Sequence, residues 1–167
     1  TIGSVLVVAA NANATFSVLS GGRVDTQDLI IGATGLSATV NVQGTNSRVQ
    51  FTAPTSFTYV GFNGGTGTLN VADNAIFGNL TAAIVVGLGS SSLDTTGFLT
   101  ASSGATIQAR SLIVGDVRGT GHMNLTGSTT SMQVAEAIHL GASPGSSGQL
   151  RGTIDINDQA QLSATRS

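Results

Sequence analysis

A glycine preceded by Ile, Val or Leu returns along this chain at near-constant spacing: Ile31-Gly32, Val60-Gly61, Val86-Gly87, Val114-Gly115 and Leu140-Gly141. Self-similarity at such a period marks an array of stacked units and constrains the fold before any single residue does. Each glycine closes a short apolar block: Leu29-Ile30-Ile31, Thr58-Tyr59-Val60, Ile84-Val85-Val86, Leu112-Ile113-Val114 and Ile138-His139-Leu140. A second block follows, as Thr39-Val40-Asn41-Val42, Thr68-Leu69-Asn70-Val71, Phe98-Leu99-Thr100-Ala101, His122-Met123-Asn124-Leu125 and Thr153-Ile154-Asp155-Ile156, with Thr15-Phe16-Ser17-Val18 as an earlier copy. Polar and apolar residues alternate there with period two, the pattern of a strand with one buried face. A third, looser block places Val24, Val49, Ile76, Ile107, Met132 and Leu162 inward.

Three β segments per period, parted by Gly, Asn, Ser and Asp turns, make one coil of a parallel β-solenoid. No segment carries a capped 3.6-residue pattern, so the expectation is all-β. Each coil takes about 26–29 residues, within the range of known repeat architectures. A lone coil buries too few side chains to offset the cost of ordering its backbone, and stability has to come from neighbours above and below. The rival reading is a β-sandwich with accidental regularity. The solenoid reading predicts one domain over residues 1–167, with five to six repeated coils over 15–163 and an incomplete coil or end cover over 1–14. The predicted core is Leu29, Ile31, Val60, Ile84, Val86, Leu112, Val114, Ile138 and Leu140 from the first block and Val40, Leu69, Leu99, Met123 and Ile154 from the second. Gly32, Gly61, Gly87, Gly115 and Gly141 sit where the chain turns a corner, and a residue without Cβ accepts the positive φ such a corner needs. Gly3 stands one such period before Gly32 and is a candidate for a further corner.

Composition narrows the function classes. Charged residues make up 8% of the chain and there is no lysine. The six arginines are spread from Arg23 to Arg166, without the clustered basic footprint that nucleic-acid binding requires. An aromatic content of 4% is poor for base stacking. The absence of cysteine excludes disulfides, thiolate zinc sites and thiol catalysis. No apolar run approaches the ~20 residues of a membrane helix.

Candidate sites are sparse. From each corner glycine to the next inward strand residue the spacing is 8, 8, 12, 8 and 13, so two coils carry longer loops. Insertions in solenoids gather on one edge and can carry binding. Ser90, Ser91, Asp94, Ser143, Ser146 and Arg151 are therefore the candidate binding-edge residues, although tolerated surface variation would look the same. The outward positions of the alternating strand form two columns: Thr15, Thr39, Thr68, Phe98, His122 and Thr153, beside Ser17, Asn41, Asn70, Thr100, Asn124 and Asp155. Small polar side chains stacked at strand spacing can hydrogen-bond along the ladder. A flat threonine face could also order ice, but Phe98 and His122 interrupt it.

Chemistry is harder to find. Glycoside cleavage usually needs two carboxylates, and the only close pairs are Asp25/Asp28 and Asp155/Asp158, both beside turn residues. Gly141-Ala142-Ser143-Pro144-Gly145 has the letters of a serine-hydrolase elbow without the helix that motif requires. Gly64-Gly65-Thr66-Gly67-Thr68-Leu69 has leucine where a calcium-binding nonapeptide has aspartate. The chain's only histidines are His122 and His139, and a metal site would need further ligands. The reading expects no catalytic, cofactor or metal site.

Residues 15–42 (TFSVLSGGRVDTQDLIIGATGLSATVNV) and 97–125 (GFLTASSGATIQARSLIVGDVRGTGHMNL) resemble the passenger-associated repeats of bacterial autotransporters, and the likeness runs over roughly 13–163. It implies a right-handed β-helix, secretion and display at the bacterial outer surface, with roles in adhesion, aggregation or biofilm. The family's C-terminal membrane barrel is not seen here, so export would use a barrel outside this sequence or another route. The partners expected are further solenoid coils or another copy stacked head to tail, and a cell-surface glycan or protein. The rival functions are a self-assembling extracellular fibre subunit and a carbohydrate-active β-helix enzyme.

Overall fold

A computed structural model describes residues 4–90, 92–141 and 151–165. Those residues form sixteen strands and no helix. Every strand pairing is parallel, and each strand lies beside its counterpart one coil away. The fold is a β-solenoid of about five turns.

The alternating blocks make a six-stranded sheet of β2 (Ala14–Leu19), β5 (Ser37–Gln43), β8 (Thr66–Ala72), β11 (Thr95–Ala101), β13 (Gly119–Thr126) and β15 (Arg151–Asn157). The glycine-closed blocks form a second column from β1 (Val5–Val8), β4 (Asp28–Ala33), β7 (Phe57–Phe62), β10 (Ala83–Leu88) and the C-terminal halves of β12 (Thr106–Asp116) and β14 (Ser131–Leu140). The third column holds β3 (Arg23–Thr26), β6 (Arg48–Phe51), β9 (Ile76–Gly78), the N-terminal halves of β12 and β14, and β16 (Gln161–Ala164). The sequence suggests three separate strands per coil. In two coils, however, the third-block and glycine-closed strands run on as one, with the register shifting between Ala109 and Ser111.

Like stacks on like. Ile31, Val60, Val86, Val114 and Leu140 are successive register partners, as are Val40, Leu69, Leu99, Met123 and Ile154. Leu29, Ile31, Val60, Ile84, Val86, Leu112, Val114, Val40, Leu69, Leu99 and Met123 are buried as expected. Ile138 and Ile154 are only partly buried, and Leu140 is 56% exposed. Leu140 keeps its inward place in the register, but among the described residues its strand segment has a partner on one side only. The expected burial of Leu140 is therefore corrected, and the same one-sidedness leaves Ile156 46% exposed.

Two further expectations change. In the third column Phe77, not Ile76, pairs with Val49 and Ile107 and is fully buried, while Ile76 lies outward against Arg48 and Thr106. A left-handed turn at Asp73 and Asn74 (φ 57° and 62°) precedes this strand, as one at Ser103 and Gly104 precedes β12. At the start of the chain, Val8 pairs with Ile31, which puts Ala9 rather than Gly3 in the slot of Gly32. Ala9 takes the slot's left-handed conformation, with φ 69°.

The corner glycines have a second, stronger reason. Gly32, Gly61, Gly87, Gly115 and Gly141 have φ between 63° and 76°. A Cβ on Gly61 would also stand 2.2 Å from the Thr96 carbonyl oxygen of the adjoining sheet. That sheet answers with its own column, Gly67, Gly97, Gly121 and Gly152, in direct register. A Cβ on Gly67 would lie 2.0 Å from the Gly61 nitrogen. The two sheets thus meet glycine backbone on glycine backbone.

Candidate interaction surface

Three outward faces follow from three columns, and they differ in chemistry. The six-stranded sheet presents the expected Thr and Asn columns. Asn70 donates from Nδ2 to Asn41 Oδ1 at 2.9 Å, one rung along the ladder. Asn157 Nδ2 donates to Asn124 Oδ1 at 3.3 Å, and Thr126 donates to Asp158 at 2.8 Å. Phe98 and His122, adjacent in register, stack with ring centroids 5.3 Å apart at 12°. His122 Nδ1 lies 2.7 Å from Thr153 Oγ1. Phe98 is 39% exposed, so this face offers an aromatic ring amid neutral amides and hydroxyls.

The outward side of the glycine-closed column is apolar. Val7, Ile30, Tyr59, Val85 and Ile113 follow one another in register. Phe57 and Tyr59 stack at 5.7 Å and 4°, and Phe62 leans on Tyr59 at 4.9 Å. This aromatic group helps make Val85 nearly inaccessible although it faces outward. Burial raises the Tyr59 pKa above the ordinary tyrosine value, and the Asp28 carboxylate adds to the shift. Inside, beneath this face, Thr58 occupies the slot filled by Leu29 and Ile84 in the flanking coils. Its hydroxyl is buried without a hydrogen-bond partner.

The third face carries more charge. Arg23 and Arg48 are register partners, and they line a cavity of about 280 Å³ with Gly21, Asn46 and Ile76. Their adjacency follows from the pairing of Val24 with Val49.

The loop candidates separate into three groups. Ser90 and Asp94 are described: Ser90 donates its N–H to the Leu93 carbonyl, and Asp94 bonds Arg118 at 2.8–2.9 Å. Ser91, Ser143 and Ser146 lie outside the described residues. Arg151 is exposed at the start of β15 and is engaged with other groups. The described part of the insertion after β10 lies between the glycine-closed column and the six-stranded sheet, and the second insertion falls outside the described residues. Of the candidates, Ser90, Asp94 and Arg151 are described, and Ser90 and Asp94 are held by different partners.

Most carboxylates serve local structure. Asp25 holds Arg23 at 2.8 Å, Asp28 accepts the Phe57 N–H, Asp116 accepts the Val117 N–H and Asp158 accepts the Thr126 hydroxyl. Among the described residues no three of His, Cys, Asp and Glu gather as a metal ligand set. No family model, curated protein or solved structure matches the chain.

Proposed function

We propose that this chain is a structural and adhesive β-solenoid segment of a protein secreted to, and displayed on, a bacterial outer surface. The observation that carries the reading is the contrast between inside and outside. The inward columns repeat coil after coil, while one outward face, that of the six-stranded sheet, holds ladders of amides and hydroxyls around the exposed Phe98 ring. Such a face suits broad, weak, multivalent contact with a glycan or protein surface. The likeness of the repeats to autotransporter passengers supports secretion through the outer membrane, and with it a right-handed winding. An antibody raised against the chain should label intact producing cells, and external protease should remove the signal. Labelling only after lysis would overturn the assignment.

A second reading, a fibre subunit stacked end to end, is favoured by the last coil, where Leu140 and Ile156 expose core-column side chains. Heterologous contacts of that kind extend into filaments. Sedimentation of the purified chain across concentration distinguishes the two readings: growth into rods supports stacking, and a monomer at all concentrations removes it. A carbohydrate-active enzyme is the weakest of the three proposals, because most of the described carboxylates already bond neighbouring groups.

A further inference from the structure

We propose that Arg23 and Arg48 form a binding site for an oxyanion: the sulfate, phosphate or carboxylate group of an acidic ligand. The two arginines occupy facing positions on β3 and β6, one strand spacing apart, about 4.8 Å. Like charges set directly across a ladder repel each other. No other described register pair in this solenoid sets two charged side chains of one sign together.

The pair is only half neutralised. Arg23 donates from Nε to both oxygens of Asp25, at 2.8 and 3.0 Å. Its two terminal nitrogens have no such bond among the described residues. The Arg48 side chain has no ion pair or hydrogen bond there at all, whereas Arg110 and Arg118 face acids and Arg151 is engaged. Two guanidinium charges against one carboxylate leave one net positive charge. That charge borders the cavity of about 280 Å³, and none of the five residues lining it is acidic.

The surroundings suit an anion. Guanidinium groups offer planar, forked donors that match oxyanions in bidentate fashion, where a lysine would offer only a point charge. Asn46, in a left-handed turn with φ 68°, lines the same cavity with an exposed amide and can hydrogen-bond the body of a ligand. Ile76, outward above Arg48, supplies an apolar wall that lowers local hydration. The cavity is several times the roughly 30 Å³ of one liquid water, so it can hold an oxyanion with part of its carrier. An anion seated between the two cations would turn their repulsion into attraction. The site stands independently of where in the cell the protein is displayed.

Titration of the isotopically labelled chain with sodium sulfate, against sodium chloride at equal ionic strength, tests the proposal by NMR. Expected are saturable shifts at the amides of Gly21, Asn46, Arg48 and Ile76 and at the arginine Nε–H signals. Arg48→Gln should weaken binding at least about tenfold, and Arg48→Lys should restore only part of it. Arg48→Gln also relieves repulsion, so in chloride its melting temperature should equal or exceed that of the native chain. In sulfate the native chain should rise relative to the variant, because a ligand that binds the folded state stabilises it. A short sulfated oligosaccharide that binds more tightly than sulfate itself identifies a polymer-borne anion. Equal binding identifies the free ion. Shifts that do not saturate, or that survive unchanged in Arg48→Gln, overturn the site.

Discussion

Three glycine-to-alanine substitutions separate the two reasons for glycine at the solenoid corner. Gly35 and Gly61 share the same left-handed backbone, φ 76°, but a Cβ on Gly35 meets nothing within 4 Å. Gly35→Ala therefore reports conformational strain alone. The strain is about 1–2 kcal/mol, offset by the ~0.4–1 kcal/mol gained by stiffening the unfolded chain, for a net loss near 1 kcal/mol. Gly67 is the converse case. It carries no left-handed strain, yet its Cβ would lie 2.0 Å from the Gly61 nitrogen and 2.3 Å from the Ile31 carbonyl oxygen. Both obstacles are backbone, so no rotamer change relieves them and two ladders have to part. That is overpacking at its severe end, about 3 kcal/mol or more. Gly61→Ala combines both effects and should cost about 4 kcal/mol. For a chain of this size, roughly 2–4 °C is lost per kcal/mol, so Gly35→Ala should melt a few degrees low and Gly67→Ala roughly ten. Far-ultraviolet circular dichroism, by heat and by urea, provides the readout. The double variant Gly61→Ala/Gly67→Ala should cost less than the sum, because the first methyl already opens the gap the second needs. If Gly35→Ala costs as much as Gly67→Ala, the corner is not packed backbone against backbone and the close-contact reasoning fails.

Three other regions of the molecule are probed by further substitutions and one titration. Thr58→Val keeps the shape of the inner column and removes a buried hydroxyl with no partner, so it should stabilise by about 1 kcal/mol; a lower urea midpoint would mean that the hydroxyl is satisfied. Tyr59 is the chain's one tyrosine, and its raised pKa gives a signed pH effect. The unfolded chain ionises first, near pH 10, so this contribution to stability is complete below that pH and lost as pH rises through the folded value. Ultraviolet titration should show a midpoint above that of the denatured chain, and Tyr59→Phe should flatten the loss of stability at alkaline pH. Finally, Val114→Asn buries an amide in the dry interior and should cost about 3 kcal/mol or more, whereas Leu140→Asn, in the same column but 56% exposed, should cost under about 0.5 kcal/mol, as measured by urea unfolding.

The inward columns were legible because burial imposes the same demand at every turn. Ile31, Val60, Val86 and Val114 can be aligned by eye, and the structure stacks them. Where that demand stops, so does legibility. Leu140 carries the same letter pattern but, among the described residues, has a neighbour on one side only, a fact about position in the stack that no local pattern encodes. Ile76 and Phe77 are both apolar, and it is the register with Val49 and Ile107 that places Phe77 inward. The strand pattern alone gives the glycines at 67, 97, 121 and 152 no role, since their reason lies in backbone from another column rather than in their own dihedral angles.

The outward faces behave differently, and this bears on function. Nothing requires an outward residue to match the one a coil away, so the Thr and Asn columns are interrupted at Phe98, His122 and Asp155. The register pairs Arg23–Arg48 and Phe98–His122 each span a shorter coil than the pair Asn41–Asn70 does. A fixed period misses such pairs, whereas aligning the strand blocks finds Phe98–His122, and Arg23–Arg48 follows from the pairing of Val24 with Val49. Once the inward residues set the register, however, each outward residue acquires two known neighbours at about 4.8 Å, and charge, stacking or hydrogen bonding between them can be judged. In a solenoid the core thus supplies the coordinate system in which the surface becomes readable. On that surface, the ladder position that departs most from neutral amide and hydroxyl chemistry is the arginine pair.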